Sequence, residues 1–143
     1  MTFPLEKDRL EEVAALDLQC FRDPWDREEW ARVLENPLVH LTGIDDGEGK
    51  LAAFCCYCGV LDEYEIWKIC VRDDLRRRGL AKELLDRLIK EAACYSPARV
   101  FLEVRAGNVP AVKFYEKAGF TPLGRRNCYY RDGEDALVYV LEV

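Results

Sequence analysis

From Leu80 to Ala92 the chain reads LAKELLDRLIKEA. Leu80, Ala81, Leu84, Leu85, Leu88, Ile89 and Ala92 share one face of a helix, and Lys82, Glu83, Asp86, Arg87, Lys90 and Glu91 take the other. The run before it, EIWKICV (residues 65 to 71), is rich in β-branched and aromatic side chains and reads as a strand. The two are joined by RDDLRRRG, which brings Arg76, Arg77, Arg78 and Gly79 to the start of the helix. A strand, a cationic turn and an amphipathic helix in that order make this a mixed α/β chain.

The remaining elements agree with that frame. EKDRLEEVAALDLQCF spaces Leu10, Val13, Ala14, Leu16 and Leu18 near the helical period, and DREEWARVLEN after Pro24 predicts a second, shorter helix. VHLTGI, LAAFCCYCGV, RVFLEV and ALVYVLEV are short β-rich runs, the first two separated by the turn-forming DDGEG. With 143 residues and no repeat, linker or low-complexity tract, a single domain covering residues 1–143 is expected.

Composition excludes several classes. Half of the residues are hydrophobic and 34% charged, as in globular proteins, and the longest apolar run, Leu51 to Leu61, is interrupted by Gly59. MTFPLEKDRLEE lacks a basic stretch followed by an apolar core, so no secretory signal is read and a cytoplasmic, non-membrane location is expected. Seven cysteines, odd in number and irregular in spacing, are expected to be reduced thiols rather than a disulfide framework. Strand alternation sends Cys55 to the face opposite Cys56 and Cys58, and His40 is the sole histidine, so no metal site is expected. The Arg76–Arg78 cluster lacks the extended basic face that nucleic acid requires, and the net charge is −6.

A helix amino terminus offers unpaired N–H groups and the positive end of the macrodipole, a natural seat for phosphate oxygens. Gly79 permits close backbone approach, and small Ala81 keeps the first turn open. The spacing is neither G-x-G-x-x-G nor G-x-x-x-x-G-K-[ST], so dinucleotide and nucleoside-triphosphate loops are disfavoured. Arg76-x-x-Gly79-x-Ala81 instead matches the R/Q-x-x-G-x-G/A signature of the GCN5-related N-acetyltransferases, and NVPAVKFYEKAGF (108–120) resembles their N-x-x-A-x-x-x-Y-x-x-x-G-F segment at every specified position. CFRDPW (20–25), LEVRAGN (102–108), RRNCYY (125–130) and GEDALV (133–138) narrow the resemblance to the RimI-type ribosomal-protein-alanine N-acetyltransferases.

That resemblance implies a splayed mixed sheet of about six to seven strands flanked by about four helices. It implies acetyl-coenzyme A as cosubstrate, without a metal, held by Ile69, Cys70, Val71, Arg76, Arg77, Arg78, Gly79, Leu80, Ala81, Lys82 and Asn108. The backbone of ICV (69–71) is expected to hold the pantetheine arm and polarise the acetyl carbonyl. The family more often has alanine at the position of Cys70 and asparagine at that of Lys68, so the acyl slot differs here.

An α-amine, with a reference pKa of about 8, is mostly ammonium at neutral pH and needs a base. Alternation in RVFLEV puts Glu103 with Phe101 opposite Val100, Leu102 and Val104, and Glu103 is the candidate, acting through water. Tyr115 is the candidate acid for the departing coenzyme sulfur, and Asn108 a helix cap as well as a coenzyme contact. Direct transfer is expected, because a Cys70–His40 nucleophilic pair has no supporting motif.

By resemblance alone, Phe21, Pro24, Trp25, Tyr129 and Tyr130 form a peptide groove, and Glu134 and Asp135 steer the amino terminus of a basic ribosomal protein. A monomer is expected. Two other readings stay open at this level: transfer to a small amine or lysine side chain, and a non-catalytic module that binds acyl-coenzyme A.

Overall fold

Alternation along the strands divides the molecule into two cores, one on each face of a single sheet. The computed structural model describes residues 1–143. Its strands are β1 (Phe3–Pro4), β2 (Val39–Asp45), β3 (Leu51–Val60), β4 (Glu63–Val71), β5 (Arg99–Arg105), β6 (Thr121–Arg126) and β7 (Ala136–Glu142). Its helices are α1 (Leu10–Cys20), α2 (Arg27–Val33), α3 (Leu80–Ala93) and α4 (Val109–Lys117). The seven strands lie in the order β1-β2-β3-β4-β5-β7-β6, and only β4 and β5 run parallel.

On one face Leu84, Leu85 and Leu88 of α3 pack with Ile66, Val100, Leu102 and Tyr115. Each fully buried leucine contributes roughly 2 kcal/mol of transfer free energy. On the other face Leu10, Val13 and Leu16 of α1 and Trp30 of α2 cover Phe54 and Cys56. Cys55 and Cys56 enter opposite cores, as alternation requires.

One break in alternation sets the two faces of β4. Across from Cys56 and Tyr57 stand Lys68 and Ile66, so Trp67 is an extra residue in β4. Such a bulge reverses the faces beyond it. Ile66 therefore joins the α3 core while Cys70 joins the α1 core, although simple alternation would put them together.

The β4–β5 ladder is short, pairing Glu63 to Ile66 with Arg99 to Leu102. Beyond it β4 stays with β3 as far as Val71, and β5 stays with β7 as far as Arg105. The two strands separate, and a wedge opens in the middle of the sheet.

Several expectations are corrected. Leu18 is solvent-exposed, and the inward stripe of α1 carries Asp17, which is completely buried. β1 and β6 had no strand signal: β1 spans two residues, and TPLGRR in β6 contains proline and glycine and is exposed throughout. The cysteines are not all free thiols. Cys20 and Cys70 form a disulfide across 50 residues, with their Cα atoms 6.3 Å apart, and five cysteines remain free. The pairing arises because the last turn of α1 packs on β4 beyond the bulge, a proximity that spacing along the chain does not express.

Candidate active site

A groove of about 920 Å³ fills the wedge. Its floor is Ile69, Cys70 and Val71, whose backbone on the β5 side has no strand partner. Its walls are α3, from Leu80 to Ile89, and α4, from Pro110 to Lys117. Arg76, Arg77, Gly79, Leu80, Ala81, Lys82 and Asn108 line it, whereas Arg78 does not.

The turn before α3 owes its shape to two left-handed residues, Arg77 at φ 65° and Gly79 at φ 81°. Turns of this kind converge backbone N–H groups on a concave site suited to anions. No side chain caps α3. A Cβ built on Gly79 would meet nothing within 4 Å, so the space above it is open groove. Arg76 is held from behind by Asp73 at 2.8 Å and by the Val71 carbonyl, which accepts from its Nε at 3.4 Å. Uncapped helix, left-handed turn and two arginines form a donor set that fits a pyrophosphate.

α4 begins at Asn108, whose side chain accepts from the Ala111 N–H at 3.3 Å, with Pro110 in the first turn. That start aims Tyr115 inward, between Phe114 and Phe120 at 5.1 and 5.5 Å between ring centroids. Burial, with a smaller contribution from Cys55, drives the Tyr115 phenol far above its ordinary pKa. It stays protonated at neutral pH and lines the groove as a donor.

Glu103 stands on the other face of β5. Its Oε1 lies 3.4 Å from Arg126 Nε, and its Oε2 is buried without a hydrogen-bond partner. A buried carboxylate oxygen without a donor is costly, and in a native site it marks a place for a proton or a water. The nearby Tyr129 phenol is raised in pKa, chiefly by the Glu103 carboxylate beside it and then by burial. Tyr115 and Glu103 thus flank the wedge from opposite faces of the sheet.

The predicted acceptor residues lie on two loops: residues 21–26, between α1 and α2, and residues 127–135, between β6 and β7, the second carrying Tyr129 beside Glu103. Phe21 and Trp25 are half-buried, and Trp25 meets Trp30 and Trp67 edge-on at 4.8 and 6.1 Å. Tyr129 is exposed, and Tyr130 lies against the Arg105 guanidinium at 4.0 Å. Glu134 accepts from Arg105 at 3.0 Å and from the Gly107 N–H at 2.9 Å. Asp135 accepts from the Cys128 N–H and from Arg125, which together lower its pKa. Both acids, expected to steer substrate, are engaged in shaping their own loop; Pro24 lies in the loop opposite.

The network that sequence reasoning missed lies beneath the first loop. Asp17 Oδ1 and Oδ2 each accept from Lys68 Nζ at 2.8 Å, and Oδ2 also accepts from Trp25 N and Trp30 Nε1. Desolvation lowers the Lys68 pKa, opposed by its bonds to Asp17. An acid on the inward stripe of α1 and a lysine inside an apolar strand were the available signals; only the bulge at Trp67 turns them to the same side.

Comparison with known proteins agrees with this geometry. The model of the acetyltransferase (GNAT) family matches residues 10–120. The chain is 35% identical over 133 residues to the N-alpha-acetyltransferase RimI of Mycobacterium tuberculosis, covering 86% of this chain and 80% of that protein. It is 42% identical over 98 residues, 66% of each chain, to the ribosomal protein bS18-alanine N-acetyltransferase of Escherichia coli. The crystal structure of the Escherichia coli ribosomal-protein-S18-alanine N-acetyltransferase superposes with a TM-score of 0.90 at 32% identity, over 100% of this chain and 93% of that one. Parted strands, a phosphate-shaped turn and a family match across most of the sequence lead to one assignment: the chain belongs to the acetyltransferase (GNAT) family.

Proposed function

We propose that this protein acetylates the α-amine of a protein amino terminus, that of a terminal alanine on a small-subunit ribosomal protein. Family membership makes it an acetyl-coenzyme A-dependent N-acetyltransferase. The acceptor is the finer step, and its support is similarity to relatives named for that substrate. The observation in the molecule itself that favours it is the Oε2 of Glu103, buried on the far face of β5 without a hydrogen-bond partner.

Acetyl-coenzyme A supplies an acetyl group activated as a thioester. Arg76, Arg77 and the uncapped turn at Gly79 bind its pyrophosphate, and the free edge of Ile69–Val71 holds its arm along the wedge. Glu103 receives the ammonium proton, directly or through one water, so that a neutral amine attacks. Backbone N–H groups on that edge stabilise the charge growing on the carbonyl oxygen. Tyr115 O–H donates a proton to the leaving sulfur as the intermediate collapses, and the phenol is restored by the second proton that the attacking nitrogen sheds on becoming an amide. No covalent acyl-enzyme is needed. Cys70 is bonded to Cys20, which leaves it no thiol to acylate.

The test is incubation with acetyl-coenzyme A and peptides that each carry a free amino terminus and an internal lysine, followed by fragmentation to locate the acetyl group. Acetyl on the α-amine, with alanine among the best termini, is the expected result. Acetylation confined to lysine overturns the acceptor assignment.

A further inference from the structure

A buried ion pair is a poor device for stability, since desolvation offsets much of its attraction and apolar side chains of the same volume do as well. Asp17 is wholly buried and Lys68 nearly so, which leaves their retention to be explained by what they hold. Asp17 takes the Trp25 N–H at 2.9 Å, and Lys68 Nζ donates to the Asp23 carbonyl at 3.3 Å. The backbone of the 21–26 loop is thereby held at two positions, one through a donor and one through an acceptor. The Lys68 ammonium also lies 4.8 Å from the Phe21 ring centroid and 4.3 Å from that of Trp25, so it sets both aromatic rings.

The hold extends across the wedge. The Asp23 carboxylate accepts from Arg105, two residues beyond Glu103 on β5. Arg105 also binds Asp132 at 2.8 Å and Glu134 at 3.0 Å, and stacks on Tyr130. One chain of contacts therefore runs from α1 and β4, through the first loop, to Arg105 on β5, two residues along the strand from Glu103, and on to the second loop.

We infer that Asp17 and Lys68 are positioning residues for the acceptor: they fix the 21–26 loop and, through Asp23 and Arg105, the spacing of the two loops. The inference rests on the α-amine reading above and adds to it the residues that set the acceptor mouth. Neither residue lines the coenzyme groove, and of the loop they hold only Phe21 does, so acceptor binding responds more strongly than coenzyme binding. A role in packing alone predicts no such difference.

The experiment uses the double variant Asp17→Asn with Lys68→Met, which removes both charges while keeping an acceptor for Trp25 and Trp30. Acceptor KM for an alanine-terminated peptide rises by about tenfold or more, while coenzyme KM changes less than about twofold. Hydrogen exchange at the Trp25 amide quickens in the same variant, because the neutral amide accepts more weakly than the carboxylate and Lys68 no longer holds the Asp23 carbonyl, and this readout is independent of turnover. Arg105→Gln provides a second test that leaves the buried pair intact: acceptor KM rises again, and Trp25 exchange stays as in wild type. A folded double variant with wild-type acceptor KM, or with unchanged Trp25 exchange, overturns the inference. If the double variant does not fold, wild-type acceptor KM in Arg105→Gln overturns it instead. Failure of the wild-type protein to acetylate any α-amine is a separate result and counts against the acceptor assignment.

Discussion

Glu103 has one oxygen near Arg126 and one without a partner, and that asymmetry gives a pH signature. Glu103→Gln keeps the shape of the side chain and removes its proton acceptance, lowering kcat/KM by about 10² at neutral pH. The loss is largest where the α-ammonium predominates and shrinks as pH rises past the reference amine pKa of about 8. Measuring kcat/KM from about pH 6 to 9.5 for both proteins decides the matter, and parallel profiles of similar height remove Glu103 as the base. Tyr115→Phe keeps the ring between Phe114 and Phe120, so turnover falls by about 10² to 10⁴ with coenzyme affinity preserved. Wild-type turnover leaves Tyr115 as packing. These two residues were legible because each stands in a local pattern, a carboxylate breaking an apolar strand and a tyrosine in a spaced motif. Asp17 and Lys68 were not, because their pairing spans 51 residues and depends on a bulge that no composition announces.

Among the elements, the turn into α3 shows how far a local pattern carries. Its glycine was legible as a close-approach residue, and the structure adds that φ is 81° with open space above. Gly79→Ala therefore meets strain and no clash, costs about 1 kcal/mol, and lowers the coenzyme-free Tm by roughly 4 °C; an unchanged Tm removes the strain argument. The β2–β3 hairpin offers a pH test. Asp46 accepts from the Lys50 and Glu48 N–H groups and from Arg72, and its pKa falls from 3.8 to about 2. A depressed carboxylate stabilises the fold fully above its unfolded pKa, and the contribution is lost as pH falls through 3.8 towards about 2. Between about pH 5 and 2, wild-type urea midpoints should decline more steeply than those of Asp46→Asn; equal slopes exclude Asp46. Helices and interior strands were readable because their periods are strong. β6 was not, since an exposed edge strand has no buried face to write into the sequence.

At the scale of the whole molecule, an acidic chain of net charge −6 concentrates arginine where a pyrophosphate would sit, and this charge separation decides how ligand binding shows in stability. The disulfide is a global feature of the same kind, invisible to spacing and visible once α1 lies on β4. Thiol titration of unreduced, denatured protein should return five thiols of the seven cysteines, and seven would refute the Cys20–Cys70 bond. Coenzyme A binds only the native wedge, so at about 100 times its Kd it adds about 2.7 kcal/mol and raises Tm by roughly 5–10 °C. Arg76 and its partner Asp73 are both more than half exposed, so the attraction is screened by salt. The rise should shrink as ionic strength goes from about 0.05 to 0.5 M, where the Debye length falls below the reach of exposed pairs. Gly79→Glu places a carboxylate in the open space of the cradle and should abolish the rise, whereas Glu103→Gln, on the far face of β5, should retain it. Both variants losing the shift together would mean that coenzyme binding and the acceptor site are not separate; both retaining it would put the phosphate elsewhere than the turn at Gly79.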